Sequence, residues 1–208
     1  MTATGTGRVG IEGHPAADDG TGAFTLRVPV TSVVKDWSID GSAVTARRQV
    51  VDIAKCDQCH DQVSLHGANR NDEPQLCVMC HNPNATDINR RPKTAIADEL
   101  NPQPGEGVPS PGVDGKLEEA IDFKRLIHAI HGAEIRENGL VVYGFGGSIN
   151  DFSEVGFPGF VQDCETCHLS GTYELEGTWE TPTLSFPKTS RSSPVPRRRA
   201  AESIRMSM

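Results

Sequence analysis

Residues 50–91 read VVDIAKCDQCHDQVSLHGANRNDEPQLCVMCHNPNATDINRR, and they contain the pattern Cys-x-x-Cys-His twice: Cys56, Cys59 with His60, and Cys77, Cys80 with His81. A third copy, Cys164, Cys167 with His168, lies in CETCHLSGTYEL at residues 164–175, and the three copies use all six cysteines of the chain. None is left for a disulfide. The pattern is the attachment signature of c-type haem: the two thiols add to the two vinyl groups of the macrocycle, and the adjacent histidine sits under the iron as its proximal ligand. The expected fold class follows from this: mostly irregular, with short α-helices packed around covalent haems (a multihaem cytochrome c), preceded by a small β-strand remnant.

Two other chemistries use Cys-x-x-Cys. A redox dithiol does not call for the following histidine or for three repeats. A zinc ribbon fits the 17 residues between Cys59 and Cys77, within the ribbon spacing range, but gives no reason for the histidine. With 7 His in 208 residues, random placement would put one after all three pairs about 4 times in 100,000 for this motif. Three haem c groups are therefore the cofactor expectation, with a zinc-binding structural module as the outlying alternative.

An electron-carrying haem iron takes a second axial ligand. The remaining histidines are His14, His66, His128 and His131. Of the four methionines, Met79 lies inside a motif and Met1, Met206 and Met208 lie at the termini. His14 stands among Gly, Pro and Asp in a loop. The distal candidates are thus His66, His128 and His131, and the count closes at bis-histidine ligation of three irons. His128 and His131 stand at i and i+3 in KLEEAIDFKRLIHAIHGAEIRE, where Leu117, Ala120, Ile121, Leu126, Ile127 and Ile130 recur at helical spacing from about Leu117. Neighbours at i and i+3 share one helix face, so these two cannot grip one iron from opposite sides and should serve different haems. His66 follows His60 by only six residues and is expected to reach a neighbouring haem. Pairing within the set stays open.

Composition limits the alternatives. The chain is 36% hydrophobic and 5% aromatic, with 21 Gly and 14 Pro, a thin supply of core material. Mean hydropathy is −0.40, and no apolar run approaches the about 18 residues of a membrane-spanning helix. Net charge is −8, from 20 basic and 28 acidic residues, which argues against a nucleic-acid partner. From Gly177 onward six basic residues face Glu180 and Glu202, so that part carries +4 and residues 1–176 carry −12.

Three zones follow along the chain. Residues 1–45 hold β-like runs at 23–30 and 32–39 between turn signals, and read as the last strands of a sheet whose other strands are absent. Residues 46–176 form the multihaem domain, interrupted by the Pro- and Gly-rich stretch 101–115 and expected to carry a short helical turn after each motif. Residues 177–208, rich in Ser, Pro and Arg, read as a disordered basic tail. The aromatics Tyr143, Phe145, Phe152, Phe157 and Phe160 suggest a loop packing rings near the haems.

The run at 50–91, IDFKRLIHAIHGAEI at 121–135, the YGFGG and NDFSEV segments and CETCHLSGTYEL together resemble the OmcA/MtrC family of multihaem outer-membrane c-type cytochromes. That resemblance implies β-barrel domains alternating with haem domains, with residues 1–45 as the C-terminal strands of a β-barrel-like domain, display on the outer surface of Gram-negative bacteria, and delivery of respiratory electrons to metal oxides, metal ions or flavins. It implies other multihaem cytochromes or an outer-membrane conduit as partners. Family members carry ten haem motifs and this chain three, so a fragment of a larger exported protein is expected; residues 1–10 show no secretory leader. The functional expectation is electron relay rather than turnover of a specific substrate, and no residue is expected to be catalytic. A terminal reductase with one five-coordinate haem is the enzyme alternative.

Overall fold

The computed structural model describes residues 2–94 and 107–173. The expected tail at 177–208, and the first part of the Pro- and Gly-rich stretch, lie outside the described residues. The architecture is mostly irregular, with three short α-helices and five two-stranded antiparallel sheets among the described residues. The longest ladder pairs β1 (Thr6–Ile11) with β4 (Val33–Ser38), in register from Thr6 opposite Ser38 to Ile11 opposite Val33. Inside it β2 (Ala16–Ala17) pairs with β3 (Leu26–Arg27). The run 32–39 is therefore a strand as read, whereas 23–30 contributes only two strand residues. The partner β1, TGRVGI, escapes a β-propensity reading because two of its six residues, Gly7 and Gly10, are glycine. Those glycines have a use: a Cβ on Gly10 would meet the Leu76 side chain.

The β1–β4 ladder is stitched to the segment between the first two motifs. Arg8 donates to Asp36 at 2.5 and 2.7 Å and to Gln75 at 2.7 Å. Ser32 and the buried Asn71 exchange hydrogen bonds of 2.9 and 3.1 Å, and the Asn71 amide also donates to the Val30 and Ala68 carbonyls.

Each helix is short and capped. Asp52 caps α1 (Ile53–Cys56) by accepting from Ala54 N, Glu73 caps α2 (Pro74–Cys80) by accepting from Gln75 N, and Asp122 caps α3 (Phe123–His131) by accepting from Arg125 N. Helix α3 starts at Phe123, not near Leu117, because residues 119–121 are drawn into pairing with 85–87: Ile121 N donates to Ala85 O and Glu119 N to the Asp87 carboxylate. Helical turns run into the motifs rather than after them. α1 ends on Cys56, α2 spans Cys77 to Cys80, and a 3₁₀ turn covers Cys164–Thr166.

Three further ladders complete the regular structure: β5 (Ser64–Leu65) with β6 (Arg70–Asn71), β7 (Lys93–Thr94) with β8 (Val108–Pro109), and β9 (Val141–Tyr143) with β10 (Ile149–Asp151). The β5–β6 hairpin loop places His66, Gly67 and Ala68 consecutively in the left-handed region, at φ 53°, 68° and 66°. A non-glycine residue there costs about 1–2 kcal/mol. Ala68→Gly is expected to stabilise the fold by about 0.5–1 kcal/mol after the entropy glycine adds to the unfolded chain, read as a shift in denaturation midpoint; a loss of stability would contradict it.

Among the described residues the apolar core is small: Leu76, Ala129, Ala133, Leu140, Val141 and Tyr143. Against its Val141 and Tyr143 lies a polar knot. Arg91 donates to Asp87 at 2.8 Å and to Asp114 at 2.7 and 3.0 Å, with its side chain and that of Asp87 wholly inaccessible. Its guanidinium lies 4.9 Å from the Tyr143 ring centre, and it also donates to the Lys116 and Val141 carbonyls. Asp87 in turn accepts from Glu119 N at 2.7 Å and Tyr143 N at 3.0 Å. Hydrogen bonding from Arg91 holds the Asp114 carboxyl below the usual carboxylate range. Large apolar side chains stand exposed, among them Phe145, Phe160, Ile11 and Trp37.

Candidate functional site

The knot carries the segment that orients the second motif. With 85–87 bridged to 119–121, the His81 backbone carbonyl accepts from Phe123 N, and the His81 ring donates from Nδ1 to Ile121 O at 2.7 Å. Its Nε2 is left as the lone-pair nitrogen. The strained β5–β6 loop brings His66 opposite, with ring centres 6.2 Å apart and planes at 36°.

The first and third motifs are brought together by a bridge between Val51 and His168, reinforced by Leu169 N and Thr172 Oγ1 donating to Val50 O and by Lys55 Nζ donating to Glu165 O at 2.5 Å. Helix α3 lies against both. His131 donates from Nδ1 to the Ile127 carbonyl one turn back at 3.0 Å, and its ring centre is 6.1 Å from that of His60, with planes at 86°. His128 stands 5.9 Å from His168, with planes at 15°. The six motif and non-motif histidines thus fall into three one-to-one pairs. His14 joins none of them; its ring lies by the Pro15 carbonyl.

The spacing can be tested against a shared iron. Two metal–imidazole bonds of about 2.0 Å, with about 1.1 Å from each nitrogen to its ring centre, separate the centres of opposed ligands by about 6.2 Å. All three observed separations, 5.9 to 6.2 Å, match it. Carbonyl acceptors on Nδ1, as at His81 and His131, are the usual device for aiming Nε2 at a metal. His168 Nδ1 is buried without a partner among the described residues. At His168 and His66 the electrostatics favour the neutral imidazole. Burial, then His128 and Lys55, pulls His168 below its ordinary value, and partial desolvation, then Arg70 and His81, does the same for His66.

No disulfide joins the six cysteines: Cys59, Cys80 and Cys164 are exposed, Cys56, Cys77 and Cys167 half-buried. Burial pushes these last three thiols up, the opposite of an activated dithiol. No group of three or more His, Cys, Asp or Glu is arranged to hold a metal ion among the described residues, so the cysteine pairs do not converge as a zinc ribbon requires.

Sequence reasoning missed the backbone carbonyls of Ile121 and Ile127, which carry no side-chain signal, and the Arg91 knot, whose only trace was a charged pair inside an otherwise polar run. Of the aromatic segment, Phe157 packs edge-on to His131 at 5.9 Å, whereas Phe145 and Phe160 are exposed. No helix among the described residues is long and apolar enough to cross a membrane.

A crystal structure of the outer membrane decaheme cytochrome OmcA aligns with 71% of this chain at 24% identity and a TM-score of 0.43, covering 19% of that chain. No curated protein matches. The family model described as outer membrane cytochrome MtrC/MtrF-like, domains II/IV, matches residues 48–198, which take in all three Cys-x-x-Cys-His motifs and all three histidine pairs. On that match the chain belongs to the MtrC/MtrF-like outer membrane cytochromes, the family of OmcA and MtrC.

Proposed function

We propose that this chain is an electron-relay segment of an outer-surface cytochrome, holding three bis-histidine haem c groups. Cys56, Cys59 and His60 hold one with His131 as distal ligand; Cys77, Cys80 and His81 hold the second with His66; Cys164, Cys167 and His168 hold the third with His128. The single observation that carries this reading is the one-to-one pairing of each motif histidine with a non-motif histidine at the spacing of two imidazoles on one iron.

Bound haem supplies reversible one-electron exchange at iron. The side chains do the rest. Two imidazoles held at each iron would leave no place there for a substrate, and the hydrogen bonds from His81 and His131 to fixed carbonyls would hold those rings in place. Helix α3 presents His128 and His131 to two different centres, which keeps the first and third close together for relay. The acidic body of residues 1–176, at −12, attracts cationic and metallic partners. Metal oxides, metal ions or flavins are the acceptors in this reading, and other multihaem cytochromes or an outer-membrane conduit the donors. Residues 1–45 belong to a β domain and residues 46–176 to the haem domain. No motif histidine lacks a partner ring, so nothing favours the five-coordinate reductase reading.

Intact mass of the protein exported from a cytochrome-c-competent host is expected to show three haem additions, and the reduced protein is expected not to bind carbon monoxide. Fewer than three additions, or carbon monoxide bound to unaltered protein, would overturn the proposal.

A further inference from the structure

A cavity of about 320 Å³ opens beside His128, with Leu140 and Ala129 as its apolar wall and Lys124, Arg125 and Arg136 around it. In a body this acidic, three converging cations run against the local charge. The one carboxylate at the cavity, Glu119, is engaged by Lys116 Nζ and by Ala120 N. Arg125 has Asp122 only at 4.0 Å, and Arg136 spends its Nε on Asn138 O. Among the described residues neither Lys124 nor Arg136 has a carboxylate within 4.0 Å.

Helix stability does not explain this placement. Lys124 and Arg125 sit in the first turn of α3, which has no acidic residue, where the helix dipole disfavours positive charge. They lie at i−4 and i−3 from His128 and so share its face.

We propose that Lys124, Arg125 and Arg136 are positioning residues that clamp the ionised propionate carboxylates of the haem at His168 and His128 and raise its reduction potential. This rests on the coordination proposed above. Positive charge beside a centre favours its reduced form, because the iron gains an electron there. Arg70, near His66, is spent on Glu12 at 2.5 and 3.0 Å, and the ring against His131 is the apolar Phe157.

The test is EPR-monitored redox titration of the exported, haem-loaded chain. It compares unaltered protein with the combined Lys124→Gln, Arg125→Gln, Arg136→Gln variant and with the charge-keeping Lys124→Arg, Arg136→Lys variant. Near-parallel and near-perpendicular imidazole planes give different low-spin ferric signals, so the 15° pair can be followed separately from the 86° pair. The midpoint of the near-parallel signal is expected to fall in the neutralised variant, to hold in the charge-keeping one, and the other two centres to stay where they were. An unmoved midpoint, or all three moving together, would overturn the clamp. Absence of the near-parallel signal from unaltered protein would overturn the coordination reading and the clamp with it.

Discussion

Asp87→Ala is expected to destabilise the haem-loaded protein by about 3–5 kcal/mol, the range for removing one partner of a buried ion pair. The substitution leaves the guanidinium of Arg91, with no accessible surface, facing Asp114 alone, and strips Glu119 N and Tyr143 N of their acceptor. The consequence reaches the second centre, because Asp87 ties down residues 119–121 and Ile121 O accepts the His81 ring. Denaturant unfolding followed at the haem absorbance is the measurement. A loss below about 1 kcal/mol, the scale of an ordinary exposed pair, would show that the knot does not organise the fold.

The second large effect is expected at the far end of α3. His128→Ala removes the imidazole opposite His168 and leaves His131 opposite His60. One haem in three should then bind carbon monoxide when reduced, and the near-parallel ferric signal should disappear while the near-perpendicular one persists. Helix α3 tolerates the change, since alanine is the best helix former and the His128 backbone carbonyl still accepts from Gly132 N. Carbon monoxide at two centres, or at none, would contradict the one-to-one pairing.

These effects separate what could be read along the chain from what could not. The three Cys-x-x-Cys-His copies are local and name their chemistry outright. The i, i+3 spacing of His128 and His131 is also local, and by itself it forbids both rings from meeting one iron. In the structure the two rings face His168 and His60 respectively, and His66 faces His81 rather than His60. Which ring faces which was beyond the sequence. It depends on the Val51–His168 and Thr86–Ala120 bridges, pairings between segments with no shared pattern. The same long-range pairing explains why α3 is shorter than its apolar periodicity: Ala120 and Ile121 fit a helix in isolation but are drawn into pairing with Thr86 and Ala85. Strand β1 was hidden because its glycines answer to Trp37 and Leu76 across the packing rather than to their neighbours in sequence. The poverty in apolar residues was legible from composition. Its structural counterpart among the described residues is an apolar core of six residues beside a charged knot, with three histidine pairs at ring-centre separations of 5.9 to 6.2 Å.

Low-temperature EPR of the fully oxidised, exported protein tests the central claim most directly. Three low-spin ferric centres per chain are predicted, one with the signature of near-perpendicular imidazoles from His60 and His131, one of near-parallel imidazoles from His128 and His168, and one between them from His66 and His81. A high-spin ferric signal amounting to one haem per chain, or three centres sharing a single ligand orientation, would contradict it.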